Sequence, residues 1–216
     1  MAGWFITFEG VEGSGKTTQI RLAGEFLREK GLPVLMTQEP GGTPLGERIR
    51  EILLNQAGFD ISGEAEVLLF AAARAQHTDA VILPALETGK VILCDRFSDA
   101  TIAYQAYGRG LPLEAVREIC RFASRGLSPR LTLLFDLPVE KGLERAFRRI
   151  AGREEASRED RFEREHLDFH RRIREGYLGI ARQEPGRVKI IDASRDIEST
   201  RCEVRAILSS FLGSDP

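Results

Sequence analysis

A chain of 216 residues with 31 Lys and Arg against 33 Asp and Glu, net charge −2, is long enough for one sizeable domain and offers no global electrostatic reason to bind nucleic acid or an anionic membrane. Cys94, Cys120 and Cys202 have no paired spacing, which argues against a disulfide frame or zinc site and for buried thiols in a reducing compartment. No apolar run reaches the roughly 18 residues of a bilayer span, and the N-terminus enters a strand without a charged and apolar leader, so a soluble cytoplasmic protein is expected.

The first strand is expected over Trp4–Phe8, followed by a turn and a helix over 16–30 that Gly31 stops. A second strand, Pro33–Gln38, runs into the Pro/Gly turn Glu39-Pro40-Gly41-Gly42-Thr43 and a helix over 44–55 carrying Arg48 and Arg50. Ser62 is a candidate N-cap for a long helix over 64–87, with Gly89 beyond its end. The third strand, Lys90–Cys94, meets Asp95-Arg96-Phe97, and helices follow over 98–107 and 112–125, with Pro129 closing the next loop. The fourth strand, Leu131–Leu137, leads to a helix over 139–149, and from Arg145 to Arg174 there are ten Arg, no Lys and seven acidic residues. Within that stretch, about 148–160 has the composition of a mobile lid, and a helix over 160–182 follows. The fifth strand, Val188–Ile191, ends at Asp192-Ala193-Ser194, and Asp196 caps a final helix over 197–212. The strands are short and apolar without strict alternation, as strands buried on both faces are. The fold class expected is α/β: one domain over 1–216, a doubly wound, parallel five-stranded sheet with right-handed crossovers and a lid.

The chemistry gathers after the strand ends, where such sheets bind ligands. Gly10-Val11-Glu12-Gly13-Ser14-Gly15-Lys16-Thr17 fits G-x-x-x-x-G-K-[ST] between a strand and a helix, the phosphate-binding P-loop. Its glycines let backbone N–H groups wrap a phosphate at the positive end of a helix, Lys16 reaches the β- and γ-phosphates, and the Thr17 hydroxyl serves Mg²⁺. Asp95, at the end of an apolar strand, is placed as a second Mg²⁺ ligand, and the planar fork of Arg96 suits a phosphate. The P-loop holds no basic residue before Lys16, which leaves room for charge from Arg148, Arg149 or Arg153 on the lid. Phe70 and Arg74 share a helix face, a spacing that suits a base pocket as well as ordinary core packing. His166 and His170 have metal-compatible spacing but no third ligand, and a solvated surface is the plainer reading.

The ordered set Phe8-Glu9-Gly10 through Lys16-Thr17-Thr18, Glu39-Pro40-Gly41-Gly42-Thr43, Leu68-Leu69-Phe70 through Gln76-His77, Asp95-Arg96-Phe97, Ala103-Tyr104-Gln105, Asp160-Arg161-Phe162-Glu163 and Ile191-Asp192-Ala193-Ser194 resembles thymidylate kinase. The bare P-loop with an Arg-bearing lid is similar to the bacterial subtype. The resemblance implies phosphorylation of dTMP to dTDP with Mg-ATP, a homodimer built on helices such as 64–87, and no nucleic-acid or membrane partner. It implies catalytic roles for Lys16, Asp95, Arg96 and a lid arginine, Arg149 or Arg153. It implies ATP contacts from residues Gly10, Val11, Glu12, Gly13, Ser14, Gly15, Lys16, Thr17 and Thr18, with Asp192 and Ala193 beside the adenine. For dTMP it implies Phe70 stacked on thymine, Arg74 donating to O4, Thr101 and Tyr104 against base and deoxyribose, Glu12 on the 3′-hydroxyl, and Arg50 and Arg96 on the monophosphate, with Pro40 nearby. Thr17 and Asp95 would hold Mg²⁺. Ala100 and Phe97 depart from residues common in relatives, Ser and Tyr or His, and leave selectivity between dTMP and dUMP open. A nucleotide switch with slow hydrolysis would use the same P-loop but would not need the Phe70/Arg74 pocket.

Overall fold

The computed structural model describes residues 3–54, 60–151 and 161–213. Five strands, β1 (Trp4–Gly10), β2 (Val34–Gln38), β3 (Val91–Asp95), β4 (Leu131–Asp136) and β5 (Val188–Asp192), form one parallel sheet in the order β2-β3-β1-β4-β5. From β1 the chain crosses to the edge strand β2, returns to β3 beside β1, then passes to β4 and β5 on the other side, so β1 is central and its carboxyl end lies at the switch in strand order, the expected place for a ligand crevice. Register aligns the strand ends: Phe8 and Gln38 both pair with Asp95, Gly10 with Phe135, and Asp136 with Asp192.

The central strands are apolar because both of their faces are covered. Ile6, Phe8, Leu93, Leu133 and Phe135 are fully buried, and Phe8 stacks on Phe135 with ring centroids 5.9 Å apart. Each such side chain contributes about 1.5–3 kcal/mol through burial. A polar cluster lies within this core: Thr7 and Thr132 share a 2.7 Å hydrogen bond across β1 and β4, and Asp99 accepts from both Thr132 and Arg187.

The helices are α1 (Lys16–Glu29), α2 (Pro44–Leu54), α3 (Gly63–His77), α4 (Leu83–Glu87), α5 (Ser98–Thr101), α6 (Leu113–Ala123), α7 (Val139–Ala151), α8 (Leu167–Gln183) and α9 (Ile197–Gly213). The expected caps are present: Ser62 Oγ accepts from the Ala65 N–H, and Asp196 Oδ1 from the Ser199 N–H.

Three helices differ from expectation. The helix over 64–87 is interrupted: α3 stops at His77, a π-helical segment spans Thr78–Ile82, and α4 resumes. Pro84 cannot donate to its own helix, and the wider turn, in which the Leu83 N–H reaches the Thr78 carbonyl, accommodates it. The helix over 98–107 is four residues of α5 followed by a π-helix over Ile102–Gly108. The helix expected from 160 begins at Leu167, because 161–164 turn and bury Phe162 and Glu163.

Burial corrects two further expectations. Cys94 and Cys120 are buried, but Cys202 is exposed on α9. His166 is on the surface, but His170 is 1% exposed, held inside by the apolar face of α8. Among the described residues, no helix is long and apolar enough to cross a membrane, and no cluster of three or more His, Cys, Asp or Glu has metal-site geometry.

Candidate active site

The P-loop turns by left-handed backbone where its glycines stand. Gly13 has φ +68°, and a Cβ there would lie 2.0 Å from the Gly142 carbonyl oxygen, so the loop rests directly on the backbone of α7. Gly10, at φ +141°, presses on the Phe135 carbonyl, whose oxygen a Cβ there would meet at 2.4 Å. Inside the loop, the Lys16 ammonium donates to the carbonyls of Gly10 and Val11 at 2.9 Å and to Ser14 Oγ at 3.2 Å. Burial, with Arg96 adding to it, pushes the Lys16 pKa down to about 8, while Asp95, Glu12 and Glu9 oppose the shift.

Thr17, in the first turn of α1, lies with its Oγ1 3.4 Å from Asp95 Oδ2. Among the described residues, Asp95 Oδ1 is buried and has no hydrogen-bond partner. An acceptor in that position fits a cation.

Arg96 follows at φ 69°, a left-handed conformation uncommon outside glycine. That turn brings its guanidinium back over the P-loop. Nη2 donates to Glu12 Oε1 at 3.1 Å, Nη1 to the Tyr177 hydroxyl at 3.0 Å, and the group lies 4.8 Å from the Tyr104 ring centre. The Tyr104 hydroxyl donates to the same Glu12 oxygen, and Glu12 Oε2 lies 3.4 Å from His170 Nδ1. Burial would raise the Glu12 pKa, but His170, Arg96 and Lys16 outweigh it and hold the carboxyl well below its usual range.

Behind this layer, Glu9 accepts from the Phe97 N–H at 2.7 Å and the Tyr177 hydroxyl at 2.8 Å. Burial, reinforced by Asp99, pushes its pKa up to about 8.

The second half of the site is walled by α3 and the π-helix. Phe70 is half-buried and faces the cleft. Arg74 is 1% exposed: Nε donates to Glu39 Oε2 at 2.8 Å, and Nη2 donates to the Phe97 carbonyl at 3.0 Å and to Thr101 Oγ1 at 2.9 Å. Arg50 donates to the Pro40 carbonyl at 2.9 Å.

These groups line one cleft. Of the residues expected at the site, it brings together Glu12, Gly13, Lys16, Thr17, Pro40, Arg50, Phe70, Arg74, Asp95, Arg96, Thr101 and Tyr104. Gly10, Val11 and Ser14 form the loop beneath Lys16, and Gly15 and Thr18 flank it at the start of α1. Asp192 and Ala193 lie outside the cleft lining. Asp192 Oδ1 accepts from Ser194, and the loop runs to Ile197, whose carbonyl accepts from Gln19 on α1, so it sits beside the first turns of the P-loop helix. Of the lid arginines, Arg148 is exposed and paired with Glu144, Arg149 falls in the last turn of α7 with its side chain outside the described residues, and Arg153 lies outside the described residues altogether.

The cleft also holds residues with no role expected from sequence. Arg161 and Gln105 line it, and both donate to Glu66, a carboxylate with no exposure that Arg109 also contacts. Glu39 also lines the cleft, and Glu9, Tyr177 and His170 support the residues that face it. A carboxylate inside an apolar strand was the available signal for Glu9. Tyr177 and His170 are distant in sequence, and nothing local marks them.

A P-loop at the central strand, with a second pocket built from an aromatic ring and a buried guanidinium opening into the same cleft, defines a P-loop phosphotransferase of the nucleoside monophosphate kinase class. Comparison with known proteins narrows this. The thymidylate kinase family model matches residues 8–204. The thymidylate kinase of Syntrophus aciditrophicus is 59% identical over 201 residues, covering 93% of this chain and 92% of the relative, and that of Geotalea daltonii is 52% identical over 213 residues, covering 99% and 100%. The crystal structure of thymidylate kinase from Ehrlichia chaffeensis superposes with a TM-score of 0.74 at 32% identity, over 96% of this chain and 99% of that one. The chain belongs to the thymidylate kinase family, the phosphotransferases that convert dTMP to dTDP on the way to dTTP.

Proposed function

We propose the following division of labour for dTMP phosphorylation in this chain. ATP binds with its phosphates in the P-loop, where Lys16 exchanges the Gly10 and Val11 carbonyls for phosphate oxygens, and with its adenine beside Asp192 and Ala193. Thymine lies in the pocket of Phe70 and Arg74. The ring stacks, and the guanidinium donates to O4; cytosine would set an amino donor against that donor and leave both unpaired. Thr101 and Tyr104 flank the base and deoxyribose, Glu12 meets the 3′-hydroxyl, and Arg96 with Arg50 binds the monophosphate.

An oxygen of the dTMP phosphate attacks the γ-phosphorus in line. The bond from γ-phosphorus to the β–γ bridging oxygen breaks, leaving ADP and dTDP. The acceptor is already an anion, so no general base is needed, and catalysis consists of positioning and charge neutralisation. Lys16, Arg96 and a lid arginine, Arg149 or Arg153, provide positive charge. Thr17 Oγ1 and Asp95 are the residues that would hold Mg²⁺, and Asp95 Oδ1, without a hydrogen-bond partner among the described residues, supports this. The ion would supply charge neutralisation on the phosphates. Closure of the expected lid over about 148–160, of which 152–160 lie outside the described residues, would exclude water and suppress ATP hydrolysis.

The observation that carries this reading is the single cleft lined both by Lys16, Thr17 and Asp95 and by Phe70 and Arg74. Glu12→Gln tests it. With dTMP and ATP affinities measured separately, dTMP binding should weaken about tenfold with ATP little changed, the scale of one charge-assisted hydrogen bond; equal weakening of both nucleotides would overturn the assignment.

The working form is a homodimer. Val67 and Ala71 are buried within the chain, so the supporting surface is narrower than the α3 stripe: Leu68, 58% exposed, and Phe122 on α6, 86% exposed. Sedimentation of Leu68→Asp against the parent tests this, with monomers expected only for the variant. The setting is cytoplasmic, where reduced thiols and ATP are both available, and neither nucleic acid nor a membrane is a partner.

A further inference from the structure

The buried carboxylate of Glu39 is gripped from both sides by one helix. Arg74 and His77 lie three residues apart on α3 and so share a face. Arg74 Nε donates to Glu39 Oε2 at 2.8 Å, and His77 Nδ1 lies 2.9 Å from Oε1. The carboxylate ion-paired to Arg74 can only accept, so His77 Nδ1 is the donor. On its far side, His77 Nε2 is 2.7 Å from Thr37 Oγ1 on β2, and the imidazole is packed so closely against Gly42 that a Cβ there would lie 2.6 Å from Nε2. His77 is fully buried and cannot touch a nucleotide in the cleft.

Two bonds to two oxygens fix the plane of the Glu39 carboxylate, and that plane fixes the guanidinium through Nε. A guanidinium has five N–H groups. In Arg74, Nε is taken by Glu39, both Nη2 hydrogens have acceptors in Phe97 O and Thr101 Oγ1, and among the described residues Nη1 has only the Cys120 sulfur at 3.5 Å. One Nη1 hydrogen therefore remains for a ligand, and its direction depends on the groups behind it.

We propose that His77 is a positioning residue that orients Arg74 through Glu39 and thereby sets selectivity for a pyrimidine carrying a carbonyl at C4; the inference rests on the base-pocket reading above. Three replacements separate this role from mere packing. In His77→Asn, the amide nitrogen stands where Nδ1 stood and restores the bond to Glu39. His77→Gln places its amide near Thr37, and His77→Phe keeps only the ring.

The experiment is steady-state kinetics with dTMP and dCMP as acceptors and ATP as donor, with thermal melts confirming folded enzyme. His77→Gln and His77→Phe should raise the dTMP KM about tenfold, the equivalent of one charge-assisted hydrogen bond, and narrow the preference over dCMP, with the ATP KM within about twofold of the parent. His77→Asn should return the dTMP KM to within about threefold of the parent. Equal defects in all three variants, or equal loss for ATP and dTMP, would overturn the proposal. Should His77 variants fail to fold, Thr37→Val, which frees the far side of the ring, should raise the dTMP KM about threefold and leave that of ATP alone, and no change would count against the proposal. Arg74→Lys separates the two layers. If it leaves the dTMP KM unchanged, the base-pocket reading fails. If it raises that KM while His77→Gln does not, only the role of His77 fails.

Discussion

Glu9 makes the stability of this protein depend on pH in the direction opposite to that of an ordinary ion-paired carboxylate. It lies fully buried in β1, and its pKa is about 8 in the folded chain against an ordinary 4.5. Burial is the main cause and Asp99 adds to it, while Arg96, Tyr177 and the Phe97 N–H pull the other way without prevailing. The folded state thus holds a proton that the unfolded chain releases near pH 4.5, and stability falls as pH rises from there to about 8. At about 1.4 kcal/mol per pH unit, the loss between pH 5 and pH 7, both inside that window, is about 2.5 kcal/mol. Glu12 does not blur the window. Its carboxyl is shifted down, so its contribution is lost only as pH falls below the ordinary range. Lys16, with a folded pKa of about 8, acts only at and above the upper edge. The assay is urea unfolding of the parent and of Glu9→Gln at pH 5, 6 and 7. The stability of the parent relative to the variant should drop by about 2–3 kcal/mol across that range. A difference that stays constant with pH, or rises, would refute the assignment of a buried proton to Glu9.

Lys16→Ala should lower kcat by about 100- to 1000-fold, as removal of a preorganised positive group does, while leaving the circular dichroism spectrum unchanged. Arg74→Met should destabilise the fold by about 3–5 kcal/mol, because it strands the Glu39 carboxylate inside. The double variant with Glu39→Gln should recover part of that loss, and strictly additive effects in chemical denaturation would show that the two residues are not coupled.

The strand order was not written in any motif, but the strands were, because segments such as Val91-Ile92-Leu93-Cys94, buried on both faces, leave a continuous apolar run between turn residues. The P-loop was legible for a similar reason. Gly10 and Gly13 stand where the backbone touches Phe135 and Gly142, contacts that permit no side chain. Asp95 and Arg96 could be placed because both follow a strand that could be placed. The π-helical turns could not, since their local composition is that of an ordinary helix and only the distribution of hydrogen bonds separates the two. The same holds for the layer behind the site. His77 and Glu39 are 38 positions apart, Glu9 and Tyr177 168 apart, and neither pairing leaves a periodic trace. His170, for which the lack of a third metal ligand makes a solvated surface the plainer expectation, lies on the face that α8 turns inward with Phe169 and Ile173.

The most direct test of the chemistry assigned to the cleft is a panel of acceptors in an ADP-release assay at fixed Mg-ATP. With dTMP, dCMP, dGMP and AMP supplied in turn, kcat/KM for dTMP should exceed that for dCMP by at least about 100-fold, because a buried donor facing an amino group leaves both unpaired. Turnover of dCMP or AMP at the same rate, or ATP hydrolysis indifferent to every monophosphate, would contradict a thymine pocket at Phe70 and Arg74.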